Sequence, residues 1–291
     1  VQMKTKFIIN PISGTGKQKN VKKLIDQFIN KEKFEYDISF TDRHLHAKEI
    51  AKQAVKENYK LLIAVGGDGT VNEISSELIG TEIAMGVIPT GSGNGFAFHF
   101  GMNKKVIEAI HQINKSEIKI VDSCTANGIP FVNVSGIGFD AHIAYLFANL
   151  TKRGFTNYIK LIYKELKYKA RNYTIKYDGK TENINALLIS FANATQYGNN
   201  FQISPNSEID DGLIDFVVLK DIPKWKVPQI LIKIAKGKAH LSKYIRIIQT
   251  KKMTIISNDN IIHLDGEPTK INGELTIEVN PKSLKIFAPN G

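Results

Sequence analysis

Three glycines around one carboxylate follow directly on an apolar run, where Leu61 to Val65 ends in Gly66-Gly67-Asp68-Gly69-Thr70. Glycines let a backbone approach a polyphosphate closely, and Asp68 belongs beside phosphate only if a cation or a transferable proton lies between. The run reads as a phosphate site with a handle for metal or water, and on its own equally as a tight strand-to-helix turn. Two more loops carry the same kind of chemistry. Asn10-Pro11-Ile12-Ser13-Gly14-Thr15-Gly16-Lys17 ends an apolar run and opens a helix, which brings backbone N–H groups and the positive helix end to an anion. Gly91-Ser92-Gly93-Asn94-Gly95 follows another apolar run. Neither is a common nucleotide motif. Pro11 stands where a Walker loop needs glycine, Gln18 where it needs Ser or Thr, and the glycines of 91–95 recur at every second position instead of the GxGxxG spacing. NAD dehydrogenase chemistry is disfavoured accordingly.

The elements that must position these loops divide the chain into two halves. From Lys4 to about Asn114, short apolar runs alternate with helical periods: Lys6 to Asn10, Tyr36 to Thr41, Leu61 to Val65 and Ala84 to Ile88 read as strands, each followed by a helix. This alternation predicts a parallel sheet flanked by helices, with ligands beyond the carboxyl ends of the strands, where the suspicious loops all lie. After Ser116 the rhythm becomes strand-like. Runs at 118–122, 131–134, 173–177, 185–192, 213–219, 253–257, 261–264, 275–279 and 284–287 predict an antiparallel sandwich or barrel-like domain. Helical inserts at about 140–169 and 226–236 interrupt it, the latter begun by Pro223 and Trp225.

The chain has 291 residues, 42% of them hydrophobic, and a net charge of +11. The excess of positive charge implies an anionic partner: nucleic acid, nucleotide or acidic membrane surface. It lies mostly in the second half, with nine Lys or Arg against two acidic residues from Lys152 to Lys180 and ten against one from Lys220 to Lys252. In the helix from about Asn157, Ile159, Ile162, Tyr163 and Leu166 form an apolar stripe beside a basic one of Lys160, Lys164, Lys167 and Arg171. That face suits either core packing or contact with anionic headgroups. No RNP sequence or zinc finger is present, so nucleic acid is not expected as a partner. The single cysteine, Cys124, makes no internal disulfide and reads as a small buried hydrophobe, and the cytosol fits best. His44 and His46 read as polar lining of the loop after the second strand.

The motifs NPxSG, GGDGT and PxGSGN, in that order at strand ends, with Asp265-Gly266-Glu267 downstream, resemble the diacylglycerol kinase and sphingosine kinase superfamily of lipid kinases, especially its soluble bacterial members. The resemblance covers nearly the whole chain. It implies an α/β plus β fold, with an N-terminal parallel-sheet nucleotide-binding domain of the NAD kinase/phosphofructokinase-like kind over residues 1–120. A C-terminal, mainly antiparallel β-sandwich domain follows over 121–291, its last strand returning to the first domain. It implies ATP and Mg²⁺ as cofactors. Asn10, Pro11, Ser13 and Gly14 would contact the nucleotide, and Lys17 would add positive charge. Thr41 and the segment holding Gly66, Gly67, Asp68, Gly69, Thr70, Asn72 and Glu73 would line the same site, with Ser92, Gly93 and Asn94 reaching the phosphates. Glu267 is the implied base for the acceptor hydroxyl, facing the nucleotide across an interdomain cleft, and Asp68 holds Mg²⁺ or an ordered water. In the sphingosine kinase branch the aspartate takes the base role instead. Glu208, Asp211 and the Leu213 carbonyl match the family's structural Mg²⁺ site, although Asp211-Gly212 is also a hairpin signal by itself.

The expectation is an ATP-dependent lipid kinase, cytoplasmic and peripheral at an anionic inner membrane surface. A homodimer stays open. The rivals are an NAD kinase, which shares GGDGT, and a nucleotide-binding membrane-associated regulator without catalysis. Diacylglycerol, phosphatidylglycerol, ceramide and a sphingoid base all remain open as acceptors.

Overall fold

The computed structural model describes residues 2–14, 20–150 and 154–290, and they form two compact units. Unit 1 comprises Val1–Val121 and Lys282–Gly291, and unit 2 comprises Asp122–Pro281.

Unit 1 is built from β1 (Met3–Ile9), α1 (Val21–Phe28), β2 (Phe34–Phe40), α2 (His46–Lys56), β3 (Leu61–Gly66), α3 (Asp68–Leu78), β4 (Ala84–Pro89), α4 (Gly95–His99) and α5 (Val106–Lys115). The strands pair in parallel in the order β2-β1-β3-β4. Every residue of β3 and β4 is buried, the mark of parallel strands covered on both faces, whereas edge strand β2 turns Glu35 and Phe40 outward. Helix α2 buries Ala47, Ala51 and Ala54 and packs on α3, and α1 buries Val21 and Ile25 and packs on α5. The small alanines let α2 approach closely. Helix α3 begins at Asp68 itself, three residues earlier than its apolar period suggests, because glycines do not register in a hydrophobic pattern.

Unit 2 holds the second half of β5 (Glu117–Ala126), then β6 (Ile129–Phe131), β7 (Val134–Gly138), α6 (Phe139–Ala148), α7 (Phe155–Lys164), β8 (Arg171–Tyr177), β9 (Lys180–Ala186), β10 (Leu188–Ala192), β11 (Ile214–Leu219), α8 (Val227–Ala235), β12 (Ile245–Thr250), β13 (Lys252–Ile256), β14 (Ile261–Leu264), β15 (Glu267–Lys270) and the start of β16 (Leu275–Ala288). One antiparallel sheet runs β12-β11-β10-β7-β14-β15. A second antiparallel set joins β16, through residues 275–278, to β13, β8 and β9. Phe131, Tyr173, Phe191, Phe216, Met253 and Ile277 fill the core of this sandwich. A separate apolar cluster lies under α6, α7 and α8.

Four details depart from expectation. The first helical insert is two helices, α6 and α7. The run at 185–192 divides into β9 and β10, which lie in different sheets. Strands β12 and β15 carry too few consecutive apolar residues to stand out. The runs at 275–279 and 284–287 are one strand across Pro281: the residues before it pair with β13 and those after it with β4, so neither of these two ladders needs an N–H at the proline.

Candidate active site

The loops of unit 1 are fastened at their bases by the sheet. Backbone N–H groups of Asn10, Thr41 and Thr90 donate to the carbonyls of Val65, Ile9 and Gly66, each at 2.9 Å, and so continue the ladder one residue past the strand ends. Within the first loop, Asn10 Oδ1 accepts from the Ile12 N–H at 3.1 Å, and Asn10 Nδ2 donates to Thr70 Oγ1 at 3.3 Å. Ser13 Oγ stands 2.7 Å from Thr90 Oγ1, and Gly14 takes φ 69°. Hydroxyls and amides from three strand ends are therefore tied together at the carboxyl edge. Lys17 lies outside the described residues.

The Gly66–Thr70 and Gly91–Asn94 segments touch. A Cβ on Gly91 would lie 2.5 Å from Gly67 Cα and 2.8 Å from Asn94 Oδ1, so only glycine permits this approach. Asn94, buried and at φ 59°, clasps its own loop: Oδ1 accepts from the Gly91 N–H at 2.9 Å and Nδ2 donates to the Gly91 carbonyl at 2.7 Å. Its backbone N–H donates to Asp68 Oδ2 at 2.7 Å, a charge-assisted bond joining the two segments. Asp68 is the first residue of α3, where the helix dipole favours a negative charge. Glu73 is occupied differently. Its carboxylate accepts from the backbone N–H groups of Leu45 (3.2 Å) and Ala47 (3.0 Å), and so caps α2 where Leu45 takes φ 62°. His46 Nδ1 accepts from the Asp42 N–H at 3.1 Å, within its own loop.

In unit 2, Glu267 opens β15 and stands exposed opposite Leu264. The preceding Asp265 (φ 49°) and Gly266 (φ 90°) form the two-residue turn of a hairpin, which needs positive φ at both places. This turn is held from three sides. The buried Asp265 carboxylate accepts from the N–H groups of Val132 (3.0 Å) and Asn133 (2.8 Å), the Asp265 N–H donates to Ser135 Oγ (3.1 Å), and the Gly266 N–H donates to His263 Nδ1 (3.2 Å). Accepting at Nδ1 puts the proton of a neutral His263 on Nε2, which lies 3.1 Å from Asp140 Oδ2 without the angle of a hydrogen bond. The same Asp140 oxygen accepts from Tyr197 OH at 2.6 Å and from Ser190 Oγ at 2.9 Å. Gly136 on β7 makes room, since a Cβ there would fall 2.5 Å from Asp140 Oδ2. Burial, reinforced by the Asp140 charge, pushes the phenols of Tyr197 and Tyr158 far up, so both stay protonated.

Asp140 and Tyr197 also contribute to the wall of an apolar cavity of about 390 Å³, within the range of small-molecule sites. Its apolar walls include Phe139 and Ile143 of α6, Ile162 of α7, Leu188 of β10, and Val227 and Ile230 of α8. The proposed metal turn lies elsewhere in unit 2. Glu208 and Asp211 are exposed, Asp211 Oδ1 accepts from the Leu213 N–H at 2.8 Å, and the wholly buried Asp122 accepts from the Gly212 N–H at 2.7 Å. Among the described residues, no group of three or more His, Cys, Asp or Glu side chains stands ready to hold a metal ion. The donors of this turn are all oxygens, which suits a hard cation that keeps part of its water shell. Cys124 is buried and its thiol is pushed well up, first by desolvation and then by the charges of Asp265 and Asp122.

Residues 4–126 match the family model of the diacylglycerol kinase catalytic domain, and residues 133–288 match that of the YegS C-terminal NAD kinase beta sandwich-like domain. The chain belongs to the diacylglycerol kinase family, in its YegS-like form. It is similar to the diacylglycerol kinase of Staphylococcus aureus strain MRSA252, 28% identical over all of this chain and 94% of that one, and to that of Bacillus subtilis, 26% identical over 95% and 88%. Two solved Bacillus anthracis structures align over 98% of this chain and 95% and 96% of theirs, with TM-scores of 0.81 and 0.73. At 23% and 22% identity these two speak for the fold. The member described here is thus a lipid kinase by family. Of its expected nucleotide residues, Asn10, Ser13, Gly67, Asp68, Thr70 and Asn94 are brought together in unit 1, while Glu73 is turned to α2. Asp140, Tyr197, Ser190, His263 and Asp122 went unnoticed in the sequence. The only signal for His263 was a polar residue inside the apolar run Ile261-Ile262-His263-Leu264.

Proposed function

We propose that the protein transfers the γ-phosphoryl group of Mg·ATP to a hydroxyl of a lipid whose hydrocarbon enters the unit 2 cavity. The observation that carries this reading is that cavity: its walls are mostly apolar with a charged minority that includes Glu165, Lys167, Lys169 and Asp221, as suits a hydrocarbon ending in a polar group, and Asp140, which lies on it, also lies against the histidine holding the Glu267 turn.

In this reading, the loop residues Asn10, Ser13 and Gly14 and the segments Gly66–Thr70 and Ser92–Asn94 bind the triphosphate through amides and hydroxyls. Glu267 takes the proton of the acceptor hydroxyl as its oxygen bonds to the γ-phosphorus, and the bond to the bridging oxygen breaks to leave ADP. Asp68 orients a cation or water at the transferred group. Mg²⁺ would supply positive charge to the phosphate oxygens, and Glu208, Asp211 and the Leu213 carbonyl would hold a second ion that fastens their turn. The enzyme acts as a peripheral protein at a membrane surface. Incubation with labelled ATP, Mg²⁺ and separate acceptors (diacylglycerol, phosphatidylglycerol, ceramide, a sphingoid base and NAD), with product identification, tests the reading. A phosphorylated lipid is expected, and phosphorylated NAD without any phosphorylated lipid overturns it.

A further inference from the structure

Helix α8 is apolar nearly all round. Its inner side, Val227, Ile230 and Ile234, lines the cavity and packs in the core beneath, yet its outer side carries Ile232, 54% exposed. The chain enters α8 through a helical turn, Lys224–Lys226, which holds Trp225 at 73% exposure. Trp225 and Ile232 are seven residues apart and so fall on one stripe. Lys233 Nζ donates to the Leu241 carbonyl at 2.9 Å, bringing Leu241, 60% exposed, beside the same helix. A helix that is hydrophobic on both sides needs a cover on each.

The charge around the stripe says what the cover is. Lys224, Lys226, Lys236, Lys238 and Lys243 surround it in sequence, and none of them has a carboxylate within ion-pair distance among the described residues. Lys226 Nζ lies 4.2 Å from the Trp225 ring centre. A tryptophan with apolar neighbours and unpaired lysines is the side-chain set that sits at the headgroup level of an anionic bilayer. A protein partner would more readily be met by neutral or mixed charge. We propose that the outer face of the Lys224–Lys226 turn and α8, centred on Trp225 and Ile232, docks on an anionic lipid surface. Pro223 and Lys224 at its edge also line the apolar cavity, so the docked face adjoins the place where a membrane lipid would enter. The inference rests on the lipid acceptor reading for its purpose, but not for its chemistry. Helix α7 also buries one side, with Leu161 and Ile162, and its exposed aromatics Phe155 and Tyr163 stand out less, at 37% and 44%, than Trp225.

Trp225 is the single tryptophan of the chain, so emission reports on this face directly. The intact protein is mixed with vesicles of phosphatidylcholine, with and without phosphatidylglycerol, and fluorescence and co-sedimentation are read together. Expected are a blue shift and sedimentation with the anionic vesicles and neither with the neutral ones. Lys236→Gln with Lys238→Gln should weaken partitioning by up to roughly 30-fold, at about 1 kcal/mol for each lysine near the surface. Trp225→Ala and Ile232→Asn should abolish sedimentation while phosphorylation of a lipid in neutral detergent micelles is kept. Sedimentation without a blue shift places the contact elsewhere and overturns the proposal. So does a blue shift that follows protein concentration without vesicles, which assigns the face to a second copy. Lipid phosphorylation in micelles without vesicle binding overturns the docking face alone. Vesicle binding with the blue shift, alongside phosphorylated NAD and no phosphorylated lipid, upholds the face and sinks the kinase reading.

Discussion

Gly91→Ala is the sharpest test of the nucleotide site. The added methyl would lie 2.5 Å from Gly67 Cα, a backbone atom with no rotamer to escape into, and ordinary contact begins at 3.4 Å, so one segment must retreat by about 0.9 Å. The retreat strains the 2.7 Å bond from the Asn94 N–H to Asp68, which holds the segments together. Overpacking of this kind costs about 1–3 kcal/mol. If the loop yields and the sheet does not, that cost appears in the nucleotide-binding conformation, and ATP affinity falls by roughly 5- to 150-fold at ~1.4 kcal/mol per tenfold. Calorimetric titration with a non-hydrolysable ATP analogue measures it, and thermal unfolding shows whether the fold shares the cost. Gly67→Ala is the internal comparison, because its methyl would meet Gly91 Cα at 3.2 Å and needs a much smaller shift. Unchanged affinity and unchanged melting temperature in Gly91→Ala would refute the claim that the two glycine segments form one rigid site. An effect in Gly67→Ala larger than in Gly91→Ala would refute the steric argument.

Glu267→Gln keeps the hairpin, since the turn is held by Asp265 and His263, but removes the base. Turnover should drop by about 10²–10⁴ with nucleotide affinity intact, and full turnover in steady-state kinetics would take the base role from Glu267. His263→Asn keeps an acceptor near the Nδ1 position for the Gly266 N–H, whereas His263→Gln reaches toward Asp140 and leaves that N–H unpaired. Higher kcat in the Asn variant than in the Gln variant, with the KM for ATP alike in both, is expected if the histidine works by holding the Glu267 turn. Equal kcat in the two variants argues against it. Arg246 and then Tyr177, both hydrogen-bonded to the Glu182 carboxyl, hold its pKa down at about 2, below the ordinary 4.5. A lowered folded-state pKa gives stability that is present above the unfolded value and lost as pH falls from there through the folded value. Urea unfolding between pH 5 and about 2 should therefore show a shallower acid loss in Glu182→Gln than in the parent. Equal slopes would remove this pair from the acid response.

What could be read from the chain and what could not divides along one physical line. The phosphate loops announce themselves because their chemistry is local: glycines and hydroxyls stand in sequence at the end of buried strands, and β3 and β4 are continuous apolar runs. Asp265-Gly266 is equally local, a turn dipeptide whose two positive φ angles follow from its residue types. Glu73 has a partner that its place beside the motif does not announce. Its carboxylate lies one helical turn beyond Thr70 and meets α2, whose N-terminus lacks a side-chain cap of its own and enters through a strained Leu45. Asp140, Ser190, Tyr197 and His263 show the opposite case. They come from α6, β10, the segment after it and β14, and each alone is an ordinary polar residue among apolar ones. Only closure of the antiparallel sheet brings β10, β7 and β14 side by side, and only Gly136 between them leaves space for the carboxylate. The buried Asp140 carboxylate keeps two converging donors, with His263 Nε2 3.1 Å from the same oxygen. An apolar residue at position 263 would leave the Gly266 N–H without its acceptor. The histidine's presence one turn of hairpin from Glu267 is why the His263 variants, and not further loop mutations, will decide how the acceptor end of this kinase is organised.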